Sequence, residues 1–178
     1  AGGGRLLNAF LALMMIPGAA FIIPLYVMFS GLGLVNTYLA LILVYGCFNV
    51  PLAIWAMKPF FDSIPRELDD MGMIDGVSRF GAFLRLILPI SLSGLAATTL
   101  LIFVYSWNEF IIALVLTTTS EVRTLPAGIA LILGAEYYSK AWNLVSVASV
   151  ASVIPTTVLF LVFQRMFIKG LIAGAIKG

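Results

Sequence analysis

The chain has 178 residues, 62% of them hydrophobic and only 10% charged, and its ten basic and eight acidic side chains leave a net charge of +2. A soluble domain is roughly a quarter charged and about half apolar, so an ordinary water-soluble globule is excluded, as is intrinsic disorder, which needs few apolar residues and a high net charge. The charge balance is too weak to suggest nucleic acid, and none is expected as a partner. Histidine is absent and Cys47 is the only cysteine, so no disulfide forms within the chain and the commonest metal ligands are missing. The composition is that of an all-α, polytopic protein seated in a lipid bilayer.

No charge occurs between Arg5 and Lys58, a run of 52 residues. One transmembrane helix needs about 20 apolar residues at 1.5 Å each. The run therefore predicts two spans, over 6–29 and 34–57, joined by the turn Ser30-Gly31-Leu32-Gly33. The first stretch is too long for a signal peptide, and no small-residue cleavage pattern follows it. A third span is predicted over 92–117 and a fourth over 142–167. Residues 1–178 thus read as a single transmembrane domain, a bundle of about four helices. Pro17, Pro24 and Pro155 fall inside predicted spans, where neighbouring helices can satisfy the carbonyls that proline frees.

Basic residues orient the bundle. Arg5, then Lys58, Arg66, Arg79 and Arg85, and finally Arg165, Lys169 and Lys177 lie on one side, while the turn near Gly31 has none and 118–141 has only Arg123 and Lys140. Both termini and the loop 58–91 are therefore expected in the cytoplasm.

That loop holds nine charged residues between Lys58 and Arg85. Ser63 can cap a helix with Pro65 in its first turn. Leu68, Met71 and Ile74 then share one face, and Gly76 suits the C-terminal cap. A second short helix would start at Ser78 and run through Phe80, Phe83 and Leu84 towards Pro89. On pattern alone, a solvated loop with one amphipathic turn is the other reading.

The chain has no GxxxxGK[ST] phosphate loop and no Gly-Lys pair, so it does not bind ATP in that manner. Cys–His nucleophilic and metal chemistry is also unavailable. The serines and acids show no catalytic spacing, and no cofactor is expected. Glu109 is the acid inside a predicted span, a placement that costs on the order of 2.5–3.5 kcal/mol unless it faces a cavity or partner. Trp107, Asn108 and Glu109 would set an aromatic face and hydrogen-bonding groups along any cavity or translocation path that this span lines. Alternatively, Glu109 reaches the outer interface and secures packing. Tyr26, Tyr45, Asn49 and Tyr105 are read first as packing or interface residues and second as path residues.

The run Ile64-Pro65-Arg66-Glu67-Leu68-Asp69-Asp70-Met71-Gly72-Met73-Ile74-Asp75-Gly76, with Phe83 and the Ile87-Leu88-Pro89 that follow, resembles the EAA loop of ABC importer permeases. Asp70-Met71-Gly72 stands where the family has Glu-Ala-Ala. Asp75-Gly76 and 87–89 follow the family pattern more closely. Gly33-Leu34-Val35-Asn36-Thr37-Tyr38, Trp107-Asn108-Glu109-Phe110, Thr124-Leu125-Pro126 with Gly128, Gln164-Arg165 and the terminal Gly174-Ala175-Ile176-Lys177-Gly178 look like the carbohydrate branch of that family, in the right order.

The resemblance implies a type I importer permease fold in the inner or plasma membrane. It implies three protein partners: an ABC ATPase subunit, a second permease subunit and an extracytoplasmic solute-binding protein. ATP hydrolysis would belong to the ATPase, and the EAA-like loop would dock into it. Leu68, Met71 and Ile74 would supply contact, Glu67, Asp70 and Asp75 would orient the helix, and Gly76 would permit the turn. Glycine at Gly72 loosens that helix by up to ~1 kcal/mol relative to alanine. Gly170, Gly174 and Gly178 would belong to a tail on the ATPase or to a frayed terminus. Members of the branch usually have six helices, and Ala1-Gly2-Gly3-Gly4-Arg5 looks like the turn before the third, so the first two are expected to be absent here. The rival readings are a non-transporting membrane scaffold and a secondary carrier, for which the cytoplasmic helix has no evident use.

Overall fold

The computed structural model describes residues 3–65, 78–134 and 142–175. Among them every regular element is helical. In chain order these are α1 (Gly3–Met14), a 3-10 turn (Gly18–Phe21), α2 (Ile22–Gly31), α3 (Tyr38–Asp62), α4 (Arg79–Ile90), α5 (Leu92–Asn108), α6 (Ile111–Leu116), α7 (Leu125–Gly134) and α8 (Trp142–Ala175). Within the described residues, α3 and the Trp142–Arg165 part of α8 are each long and apolar enough to cross a bilayer alone. Two further pairs meet that test only together: α1 with Gly18–Gly31, bent by 84°, and α4 with α5, bent by 75°.

The stretch 6–29 is therefore not one continuous helix. Pro17 lacks an N–H and disfavours helical geometry in the residue before it. Accordingly α1 stops at Met14, Pro17 is extended at φ −63° and ψ 128°, and the chain restarts with a 3-10 turn. Pro24 lies in the first turn of α2, where a missing N–H costs no intrahelical bond. The second bend has a related cause. Pro89 can donate no hydrogen bond, and the turn before it widens so that the Leu88 N–H reaches the Phe83 carbonyl. Ser78 caps α4 by accepting from the Gly81 N–H at 3.2 Å. Ser63, expected to open a helix, uses its hydroxyl to donate to the Phe60 carbonyl at 2.7 Å, beyond the end of α3.

The glycine turn after α2 is a Schellman closure. Gly33 has φ +66°, its N–H donates to Ser30 O, and the Leu34 N–H donates to Phe29 O at 2.8 Å. Leu34 then packs on the cluster that contains Phe29. Asn36 is also left-handed, at φ +63°, which delays α3 to Tyr38 rather than 34. Thr37 caps α3 by accepting from the Ala40 N–H.

The chain forms two compact units. The first comprises Ala1–Pro51 and Phe103–Val158. Its core joins Phe29 of α2, Ala40, Leu41 and Val44 of α3, Ala113 and Leu116 of α6, and Ala127 of α7. Alanines 40, 113 and 127 are fully buried, and such small residues let helix backbones approach closely where lipid supplies no hydrophobic drive. The second unit comprises Leu52–Ile102 and Leu159–Gly178. There Gly94 sits against Phe60 so tightly that a Cβ would overlap its ring. Phe61 and Phe83 pack at 6.3 Å, and Lys58 pairs with Asp62 one turn on. Along α8, Val147, Val150, Val153, Ile154, Val158, Leu161 and Val162 are exposed, an apolar surface of the kind that lipid covers.

Candidate functional site

The predicted span 92–117 breaks in the middle, and the break is built around Glu109. Helix α5 ends at Asn108 and α6 restarts at Ile111. Glu109 bridges the gap: Oε1 accepts from the Ile112 N–H at 2.8 Å and Oε2 from the Ala113 N–H at 3.1 Å. The first N–H groups of any helix lack intrahelical partners, and a carboxylate placed there satisfies them with charge-assisted bonds.

The same Oε2 accepts from the Tyr45 hydroxyl of α3 at 2.8 Å. Nearby, Asn49 donates to Ser106 Oγ at 3.0 Å and to its own helix at Tyr45 O. Tyr45 and Asn49 are four apart on α3, while Ser106 and Glu109 are three apart, so the two rungs stack on facing surfaces. The half-buried carboxylate thus has three donors, the condition under which a charge in apolar surroundings is tolerated.

Beside this knot lies a shallow, largely open cavity of about 390 Å³ lined by Val104, Tyr105, Asn108 and Glu109. Tyr105 is 63% exposed. Asn108 Nδ2 donates to Val104 O at 2.7 Å. Among the described residues, no hydrogen bond engages the Asn108 carboxamide oxygen or the Tyr105 hydroxyl. Trp107 is not among the residues that line the cavity. Its indole N–H donates to Ser152 O at 2.9 Å, and its ring stacks on Phe103 at 5.5 Å.

A second polar knot lies at the other end of α6. Asn36 N–H donates to Leu116 O at 2.7 Å, and Asn36 Oδ1 accepts from the N–H groups of Thr118 and Thr119, both at 2.9 Å. Thr119 Oγ1 lies 3.1 Å from Asn36 Nδ2. The Tyr38 hydroxyl donates to Glu121 O at 2.6 Å, and Arg123 donates to Thr118 O. The turn near Gly31 and the start of 118–141, both poor in basic residues, thereby meet at one end of this unit.

Residues 4–173 match the family described as binding-protein-dependent transport system inner membrane component. The chain belongs to this family. It is 41% identical over 177 residues to the trehalose/maltose transport system permease protein MalG of Thermococcus litoralis, covering 98% of this chain and 63% of that protein. It is 35% identical to the sulfoquinovosyl glycerol transport system permease protein SmoH of Agrobacterium fabrum, over 97% and 60% of the two chains. It is 34% identical to the trehalose transport system permease protein SugB of Mycobacterium tuberculosis, over 99% and 65%. The chain spans about three-fifths of the length of these relatives. It is an all-helical, multi-pass membrane member of its family.

The expected coupling residues of this family member, Glu67, Leu68, Asp70, Met71, Gly72, Ile74, Asp75 and Gly76, lie outside the described residues. Helix α8 runs through Gly170 and Gly174, and Gly178 is outside the described residues. No group of three or more His, Cys, Asp or Glu gathers among the described residues. Asn108 and Glu109 are brought together with Tyr105 at the cavity, with Tyr45 behind Glu109. Asn36 entered the sequence reading only as part of a family-like stretch. The available signal is its place three residues after Gly33, since asparagine tolerates left-handed backbone and bonds neighbouring main chain.

Proposed function

We propose that the chain is a permease subunit of an ATP-driven, binding-protein-dependent ABC importer for a sugar or sugar-like solute. The observation that carries this reading is the family match over residues 4–173, and the relatives named for trehalose, maltose and sulfoquinovosyl glycerol transport favour a sugar. The chain would work with an ATPase subunit, a second permease and an extracytoplasmic solute-binding protein. It is not itself an enzyme in this reading: hydrolysis occurs on the ATPase, and the cytoplasmic loop 58–91 receives the motion through Leu68, Met71 and Ile74, oriented by Glu67, Asp70 and Asp75, loosened at Gly72 and turned at Gly76. Both termini of this chain face the cytoplasm.

The path runs past the cavity beside α5. Tyr105 offers an aromatic face to the C–H surface of a sugar ring, and the carboxamide oxygen of Asn108, which no described residue engages, offers an acceptor for a hydroxyl. Glu109 shapes this wall by holding the helix break, and Trp107 anchors α5 through Ser152.

The test is reconstitution of the assembled transporter in proteoliposomes, with solute uptake and ATP hydrolysis measured with and without the binding protein. Binding-protein-stimulated hydrolysis coupled to uptake is expected. Asp75→Lys and Gly76→Pro should abolish that coupling while the chain remains inserted. ATPase association without stimulation would point to a scaffold instead, and uptake driven by an ion gradient alone would point to a secondary carrier.

A further inference from the structure

We propose that α4 is an interfacial helix that recognises anionic lipid, with Phe80 and Leu84 among the acyl chains and Arg79 and Arg85 on the headgroup phosphates. Phe80 is 72% exposed and Leu84 45%, and they stand four residues apart on one face. Ala82, on the other face, is 2% exposed, and Phe83 packs on Phe61. The side of α4 that meets the protein is therefore occupied, and the Phe80–Leu84 stripe is turned away from it. Arg79 precedes the stripe and Arg85 follows it, each about 100° round the helix from its apolar neighbour. Both are exposed. Among the described residues, neither guanidinium has an ion pair or a hydrogen bond.

The bend at Ser91 favours lipid as the occupant over a protein. Helices α4 and α5 meet at 75°. Ser91, itself 2% exposed, holds the bend by donating its hydroxyl to Ile87 O at 2.9 Å. Helix α5 has 17 residues, about 25 Å at 1.5 Å each, most of a hydrocarbon core about 30 Å thick. With α5 across the bilayer, α4 starts at the membrane surface and runs close to its plane. An amphipathic helix placed there buries its apolar stripe at the boundary between headgroups and acyl chains. Arginines beside the stripe then reach the phosphates, whose oxygens match the guanidinium fork in pairs. Phosphatidylcholine also carries a phosphate, but its own ammonium neutralises it. Two arginines therefore select a headgroup with net negative charge.

The experiment titrates the purified full chain in neutral detergent with phosphatidylglycerol or phosphatidylcholine and reads bound lipid by native mass spectrometry. Phosphatidylglycerol should bind at least about tenfold more tightly. Arg79→Gln and Arg85→Gln should each weaken phosphatidylglycerol about fivefold, the factor for one cation near an anionic surface, and leave phosphatidylcholine unchanged. Arg85→Lys keeps the charge and should lose less than Arg85→Gln. Phe80→Ser should weaken both lipids alike. Arg5→Gln, which removes an exposed charge outside α4, should change neither.

Equal affinity for the two lipids in the unsubstituted chain overturns the proposal. So does a loss in Arg5→Gln as large as in the α4 variants, which would mean diffuse attraction to the whole chain. An arginine variant that keeps its phosphatidylglycerol affinity but no longer co-purifies with an ATPase subunit would assign the face to a protein instead, and also overturns it. Should the glutamine variants fail to insert, an unchanged phosphatidylglycerol affinity in Phe80→Ser decides against it. No solute, ATPase or binding protein enters the lipid titration, so its failure leaves the importer reading untouched.

Discussion

At the start of α6 a carboxylate, Glu109, collects the N–H groups of Ile112 and Ala113, and just beyond its end a carboxamide, Asn36, collects those of Thr118 and Thr119. A six-residue helix cannot pair its own first N–H and last C=O groups; the start borrows the Glu109 carboxylate, the Leu116 carbonyl at the end receives the Asn36 main-chain N–H, and both ends are tied to α3 or the residues leading into it. The differences are instructive. Glu109 is local in sequence, charged and half-buried, and needs Tyr45 as a third donor. Asn36 comes from a distant segment, is neutral, and must adopt φ +63° to reach. The local cap opens α6 directly after α5 ends. The remote clamp decides where the chain goes after that helix ends.

The largest effect should come from emptying the charged end. Glu109→Ala leaves the Ile112 and Ala113 N–H groups and the Tyr45 hydroxyl without an acceptor, and unsatisfied buried groups cost about 1–3 kcal/mol each. A total loss of roughly 3 kcal/mol is expected, since part of this set relaxes. Thermal unfolding of the detergent-solubilised chain measures it. Glu109→Gln keeps an acceptor and should lose less. If Glu109→Ala proved milder than Asn36→Ala, the ranking of the two ends would be reversed.

Asn36→Ala comes next, at about 1–2 kcal/mol, because it removes the clamp and leaves alanine in a left-handed backbone. Asn36→Gly should lose less than alanine, and the gap between the two isolates the strain. Equal losses for alanine and glycine would mean that the backbone had relaxed.

Tyr45→Phe should lose about 1 kcal/mol. Its effect should largely vanish in the Glu109→Ala background, since both substitutions remove one hydrogen bond, and a double-mutant cycle reads that coupling. Additive losses would show that Tyr45 stabilises α3 by packing rather than through the carboxylate.

What could be read from residues alone tracks how local the physics is. Charges are excluded from apolar helices at high cost, so the uncharged runs located α3 and the long α8. The same runs hide the bends, because hydropathy records what surrounds a helix and not where its main chain is paired. Pro17 was visible as a proline inside a span, yet its 84° bend depends on how the chain restarts at Gly18. Glu109 stood out as an intramembrane acid, and its two N–H donors lie within four residues, but Tyr45 is 64 positions away. Trp107 looked equivalent to its neighbours by spacing, and its contact with Ser152 belongs to the fold. Asn36 carries no hydrophobic or charge signal at all.

The smallest expected stability change is at Tyr38. Tyr38 is exposed, and its hydroxyl makes one bond, to a main-chain carbonyl in an exposed turn. Water can replace that bond when phenylalanine is substituted, so Tyr38→Phe should change thermal stability by less than about 0.5 kcal/mol. Tyr45→Phe removes a chemically similar hydroxyl from a half-buried carboxylate that water reaches less readily, and the expected loss is correspondingly larger. A Tyr38→Phe loss as large as that of Tyr45→Phe would mean that the turn 117–121 is part of the folding core. In that case its fixed conformation would be explained by stability alone. A negligible loss would show that water replaces the Tyr38 bond and that the order of this turn rests on Asn36.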